Sequence, residues 1–264
     1  MTRFFKTSAA AFLILLPLVT GCGSKVTAPG GDVTAQTADD LAVQTATSLT
    51  VVGGDFQIAL GATPQAPAAG ARRARLARAA WDTTFTWNGI TYEASRTFYD
   101  PLDNEMPEWG PIAWWMRWTS RAYGTYEGPR DTAHVGHDAV LDFHGINVAL
   151  DTVRADGMCR DTLENRFRSL DGLRTRYFYW VSSTTIDAVR ILKSTLSTGG
   201  WPISGTVTYV VSADRLRSNS RTDVEAHLDA TVVVTFNGTV EPEIVVNGTY
   251  RYRWNMQTGA VTRA

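Results

Sequence analysis

From Trp81 onward, alternation of apolar and polar residues with a period of two recurs along the chain. That alternation confines the region to half-buried antiparallel strands. The pattern is clearest near the carboxyl terminus, where Leu228, Ala230, Val232, Val234, Phe236, Gly238 and Val240 share one parity. After Glu241-Pro242-Glu243 the even positions stay apolar or small through Ile244, Val246, Gly248, Tyr250, Tyr252 and Trp254. Because both of these stretches keep their apolar residues at even positions, strands that share this buried face must pair residues of equal parity here. A loop at residues 241–243 meets that demand, setting Val240 opposite Ile244, Gly238 opposite Val246, Phe236 opposite Gly248 and Val234 opposite Tyr250. This register places Asn237-Gly238 and Asn247-Gly248 inside strands, although Asn-Gly is a common hairpin turn. At Asn88-Gly89 the parity switches instead, so a two-residue turn pairs Trp87 with Ile90 and Phe85 with Tyr92.

Further strands are expected near 112–123, with Trp114, Met116 and Trp118 on one face, and near 137–144, 173–182 and 204–213. Residues 182–196 admit a helix or a strand, and their β-branched content favours the strand. Asp151 to Leu170 is polar and reads as a long loop with a helical turn. The fold class expected is all-β: an antiparallel meander of about eight or nine strands, curled into an open sheet or a barrel. A β-sandwich is the alternative.

Composition changes at the start of this region. All nine tryptophans and all nine tyrosines lie beyond residue 80. Between Gly23 and Ala80 the chain is rich in Ala, Thr, Gly, Gln and Pro, with Phe56 its one aromatic residue. Such a segment buries too little apolar surface to offset chain entropy and reads as a disordered tether. A short helix within Thr37–Leu49 and a broken strand within Thr50–Leu60 are the exceptions. The tether ends in Arg72, Arg73, Arg75 and Arg78, a solvated basic linker or a contact for anionic head groups.

The first 21 residues combine Arg3 and Lys6 with an apolar run from Ala9 to Val19 that is too short for a bilayer-spanning helix. This is the pattern of a secretory signal peptide. Val19-Thr20-Gly21-Cys22 resembles the lipobox of bacterial lipoproteins, a likeness confined to these first 22 residues. The resemblance implies cleavage before Cys22, a diacylglyceryl group on its thiol and acylation of the new amino terminus. Two or three acyl chains, at about 0.8 kcal/mol per buried methylene, anchor a protein stably in a membrane. With Gly23 rather than Asp after the cysteine, the resemblance also implies outer-membrane sorting where a cell has two membranes. The expected organisation is a signal peptide over 1–21, a lipidated tether over 22–80 and a β domain over 81–264.

The remaining chemistry is sparse. With 25 basic and 26 acidic side chains the net charge is −1, which removes the electrostatic case for nucleic-acid binding. Cys159, the second of two cysteines, reads as buried and inert. His134, His137, Asp138, Asp142 and His144 crowd one segment and carry ligands suited to a divalent metal. On an extended strand, however, Asp138, Asp142 and His144 share one face and His137 takes the other. The alternative is an ordinary solvated face. Trp109, Trp114, Trp115 and Trp118 cluster similarly, to line a concave site for a hydrophobic ligand or to pack a core. Asp100, Asp103, Glu105 and Glu108 fall in a loop that holds a cation or simply turns the chain. No nucleophile elbow, phosphate-binding glycine loop or zinc-protease motif is present.

These readings converge on a non-enzymatic envelope lipoprotein whose β domain binds a hydrophobic ligand or an envelope partner, with no cofactor. A metal-binding protein or metal-dependent enzyme built on the histidine segment is the second reading, and a purely structural surface protein the third.

Overall fold

The computed structural model describes residues 33–61, 81–107, 112–128, 131–147, 149–170, 172–198, 201–216 and 224–264. The alternating region forms twelve strands. They are β1 (Trp81–Trp87), β2 (Ile90–Tyr99), β3 (Glu105–Met106), β4 (Trp115–Glu127), β5 (Asp131–His144) and β6 (Thr152–Arg168), followed by β7 (Thr175–Leu192), β8 (Pro202–Leu216), β9 (Val224–Phe236), β10 (Glu243–Val246), β11 (Tyr250–Asn255) and β12 (Ala260–Arg263). Each pairs antiparallel with its neighbour in sequence, except that β4 joins β2 directly and the two-residue β3 pairs with β2 from the side. The result is one meander, open between β1 and β12.

Parity organises the sheet as the sequence indicates. On β5 the residues alternate strictly, with Ala133, Val135, His137, Ala139, Leu141 and Phe143 buried. At Asn88-Gly89, with φ of 49° and 78°, the chain makes the expected turn, and Phe85 and Trp87 meet Tyr92 and Ile90.

The carboxyl-terminal register differs from the sequence reading. Ile244 pairs with Val234 rather than Val240, and Val246 pairs with Val232 on one side and Tyr250 on the other. The chain turns at Asn247-Gly248, with φ of 48° and 67°, and β9 stops just before Asn237-Gly238. Two turns replace one because a three-residue turn at 247–249 also joins even to even. Parity alone does not choose between them. Gly238 and Gly248 leave the inward set for exposed turns, but the even positions from Leu228 to Phe236, with Ile244, Val246, Tyr252 and Trp254, keep their buried parity. Val234→Asp is therefore expected to cost several kcal/mol by burying an unpaired charge. Thr235→Asp, on the exposed face, should stay within about 0.5 kcal/mol. Urea unfolding of both variants checks this, and equal losses would refute the assignment of the two faces.

Two segments differ in kind from their expected state. Asp151–Leu170 is not a loop: it contains the 17-residue strand β6. Its inward positions include Asp161 and Asn165, both buried, and these polar insertions blur the alternation. The supposed tether contains helix α1 (Ala35–Ala59), which includes the short helix expected within Thr37–Leu49 and continues through the segment expected to form a broken strand. Of its residues, 20 are buried. Thr34 caps the helix, its hydroxyl accepting from the Thr37 amide. Apolar residues Leu41, Val43, Leu49, Val51, Val52, Phe56 and Ile58 fall all round its circumference. A helix buried over most of its circumference needs no apolar stripe; beyond the first turn only Thr50, Gly53 and Gln57, along one face, are half-buried.

Contacts from the sheet show that α1 is enclosed. Tyr252 of β11 and Arg263 of β12 bond Asp39, the latter through both carboxylate oxygens at 2.8 and 2.5 Å. Arg176 of β7 lies 3.8 Å from Asp40, and Asn165 of β6 donates to Gln44 at 2.6 Å. Tyr92 of β2 donates to the Val51 carbonyl, and Phe143 of β5 meets Phe56 edge-on at 5.6 Å. The curled sheet thus wraps a central helix. Among the described residues no helix is long and apolar enough to cross a membrane. Cys22, residues 1–21 and the arginine linker lie outside the described residues.

Candidate functional site: an aromatic cleft beside the buried helix

Because the sheet does not close, one face of α1 shows through the seam. Leu49, Val52, Gly53 and Phe56 recur at helical spacing and form one wall of a cleft of about 480 Å³. Trp87 and Asn88 enter from the β1–β2 turn. Trp254, Met256 and the β11–β12 turn enter from the other end of the sheet, with Trp201, Phe236 and Tyr126 completing the enclosure. No charged side chain occurs among the described lining residues. Such a cleft accepts apolar surface and gives an ionic group no partner. A shallower hollow of about 810 Å³ on the outer face passes over Thr119, Val140 and Met158, but it has neither aromatic walls nor a helix behind it.

Two adjacent glycines in α1 have opposite surroundings. A Cβ on Gly53 would project into open space. A Cβ on Gly54 would strike the Tyr92 hydroxyl and come within 2.8 Å of the Trp87 ring. Gly54 therefore permits the sheet to close on the helix, and Gly54→Ala would force the two apart.

Behind the cleft, buried charge couples the helix to the sheet. His137 of β5 bonds Asp55 of the helix through Nε2 at 2.6 Å and Asp161 of β6 through Nδ1 at 2.5 Å. Burial alone would lower the imidazole pKa, but the two carboxylates outweigh it and push it up to about 10. The ring is an imidazolium at neutral pH. Asp55 also accepts from Trp118 Nε1 at 2.9 Å and Ser120 Oγ at 2.5 Å. Asp161 accepts from the hydroxyls of Ser48, Ser182 and Thr184 at 2.9, 3.2 and 3.1 Å. These donors satisfy carboxylate oxygens that burial would otherwise leave unpaired. The network is not poised for nucleophilic catalysis. Both nitrogens of His137 are occupied by carboxylates, and Ser48 and Ser120 donate to those carboxylates rather than to an imidazole nitrogen.

The sheet separates the five candidate metal ligands. His137 points inward, whereas His134, Asp138, Asp142 and His144 belong to the outward parity. Along an extended strand, residues four apart lie about 13 Å apart. Asp142 instead pairs with Arg117 at 2.8 Å, His134 bonds Thr125 at 3.0 Å, and His144 packs near Trp115. Among the described residues no group of three His, Cys, Asp or Glu is placed to hold a metal.

The tryptophan candidates disperse as well. Trp118 is buried on Asp55, Trp115 stacks on Tyr99 outside the sheet at 3.8 Å, and Trp114 is 40% exposed before β4. Trp109 lies outside the described residues. The aromatic residues of the cleft, Trp87, Trp201 and Trp254, are distant in sequence and meet only because the sheet curls. Their inward parity was the available signal for Trp87 and Trp254.

In the acidic loop, Asp100 accepts from the amides of Leu102 and Asn104, and Asp103 accepts from Trp115, so these carboxylates organise a turn. Cys159 is buried, and burial together with Asp161 and Asp55 pushes its thiol well above the ordinary range. Comparison with protein-family models, curated proteins and solved structures finds no match to this chain.

Proposed function

We propose that this protein is an envelope lipoprotein, acylated at Cys22, whose β domain is a non-enzymatic binding module for a small hydrophobic ligand. The observation that carries the reading is the cleft of about 480 Å³, walled by aromatic rings and without a charged side chain among its described lining residues. Aromatic walls give an acyl chain or a flat apolar ring broad contact at little entropic cost. The lipobox-like residues supply the anchor and place the cleft beside a source of such molecules.

Gly53→Phe tests the cleft. A Cβ at Gly53 meets open space, and replacing a helical glycine by phenylalanine gains about 0.3–0.5 kcal/mol of helix propensity by lowering the entropy of the unfolded chain. The expected outcome is a tenfold or greater loss, on the order of 1.4 kcal/mol, in affinity for a hydrophobic fluorescent probe such as N-phenylnaphthylamine. The melting temperature should hold or rise. Organic extraction of the purified wild type should release lipid that the variant lacks. Probe binding unchanged by Gly53→Phe, together with a clean extract, would refute the reading. Labelled palmitate should enter the wild type and not Cys22→Ser.

A further inference from the structure

The β6–β7 hairpin stands beside the amino terminus of α1. Arg176, three residues past Leu173 at the tip, lies 3.8 Å from Asp40 in the second turn of the helix. The Val33 carbonyl, where the described chain begins, accepts from Tyr250 at the start of β11. Only ten residues separate Val33 from Cys22, and fully extended they span no more than about 40 Å. The leash is therefore short, and it leaves from the end of the molecule that carries this hairpin.

The tip has the chemistry of a lipid-surface contact. Arg166, Arg168 and Arg174 are exposed, and Leu173 between them is 82% exposed. Over residues 166–176 the sequence sets four arginines against one acid, Asp171. Guanidinium groups pair with phosphate through two donors, and a leucine among them can enter the headgroup layer. We infer that the β6–β7 tip docks on the anionic headgroups of the membrane that holds Cys22, directing the opposite end away from it. This orientation rests on the proposed acylation. The docking chemistry of the tip does not.

The test uses the acylated full-length protein in vesicles containing a bilayer-held nitroxide quencher. A polarity-sensitive dye is attached at Leu173→Cys or, in a second sample, at Leu102→Cys. Leu102 is equally exposed and sits on the β2–β4 connection, toward the end where Phe56 meets Phe143. Cys159 is buried and the Cys22 thiol is blocked as a thioether in the acylated protein, so labelling is confined to the introduced thiol; protein that fails to float is labelled in a Cys22→Ser background. With phosphatidylglycerol present, the dye at position 173 should be quenched at least about threefold more than the dye at 102, as a local polybasic contact requires. High salt, or the triple variant Arg166→Gln, Arg168→Gln, Arg174→Gln, should erase the difference. Equal quenching at the two positions, or a difference that survives in the triple variant, overturns the docking. Flotation on phosphatidylcholine alone reads the anchor separately: failure there with selective quenching on anionic vesicles removes the acylation and leaves the docking standing.

Discussion

A chain that begins at Trp81 is expected to lose cooperative folding. That boundary is where the sequence places the start of an independent β domain, yet the structure puts part of its core in α1. Leu41, Val51, Val52, Phe56 and Ile58 are each at most 6% exposed. At about 2 kcal/mol per buried side chain they contribute on the order of 10 kcal/mol, comparable with the whole stability of a typical domain. Without the helix, His137, Asp161 and Asn165 would face a wetted apolar channel. Residues 81–264 should bind hydrophobic dyes, lack near-ultraviolet circular dichroism and unfold without a sharp transition. Residues 33–264 should show a single sigmoidal urea transition. A cooperative transition of ordinary midpoint in the shorter chain would contradict the enclosure of α1.

His137→Ala is expected to be the most damaging single substitution described here. Removing the imidazolium leaves Asp55 and Asp161 facing each other inside the protein without the cation between them. Breaking a buried ion pair in this way costs about 3–5 kcal/mol. Urea denaturation at neutral pH reads the loss. The same geometry predicts a pH dependence of defined sign. The folded pKa of about 10 lies above the ordinary value of 6.5, so folding favours the protonated ring. That contribution is complete below about pH 6.5 and declines as pH rises through 10. The wild type should lose stability across this window, and His137→Ala should lose far less. A wild-type curve as flat as the variant's would show that the ring is neutral.

Much of the sheet was legible because parity is a local property. Phe85, Trp87, Ile90 and Tyr92 needed only the switch at Asn88-Gly89 to be paired correctly, and Val232, Val234, Ile244 and Val246 kept their inward assignment under a mistaken register. The length and burial of the helix beyond the short stretch expected at Thr37–Leu49 were obscured because its polar residues, Gln44, Ser48 and Asp55, resemble those of a solvated linker. Their partners are inward-facing polar residues on the strands, Asn165, Asp161 and His137, which in turn disguised β6 as a loop. Each half of this polar interior appears out of place alone and is satisfied only by the other. The histidine segment shows the same limit. Proximity in sequence suggested a metal site, but an extended strand sends adjacent residues to opposite faces, so His137 and Asp138 never meet. The cleft was least accessible to sequence reasoning because Trp87 and Trp254 come from opposite ends of the sheet.

Amide hydrogen exchange along Leu41–Phe56 tests the central claim, that a helix disguised as a tether is the axle of the sheet. These amides should exchange only through global unfolding and rank among the slowest in the protein, alongside those of β5 and β6. Exchange within seconds, at the rate of an unstructured chain, would contradict the account and return this segment to the role of a leash.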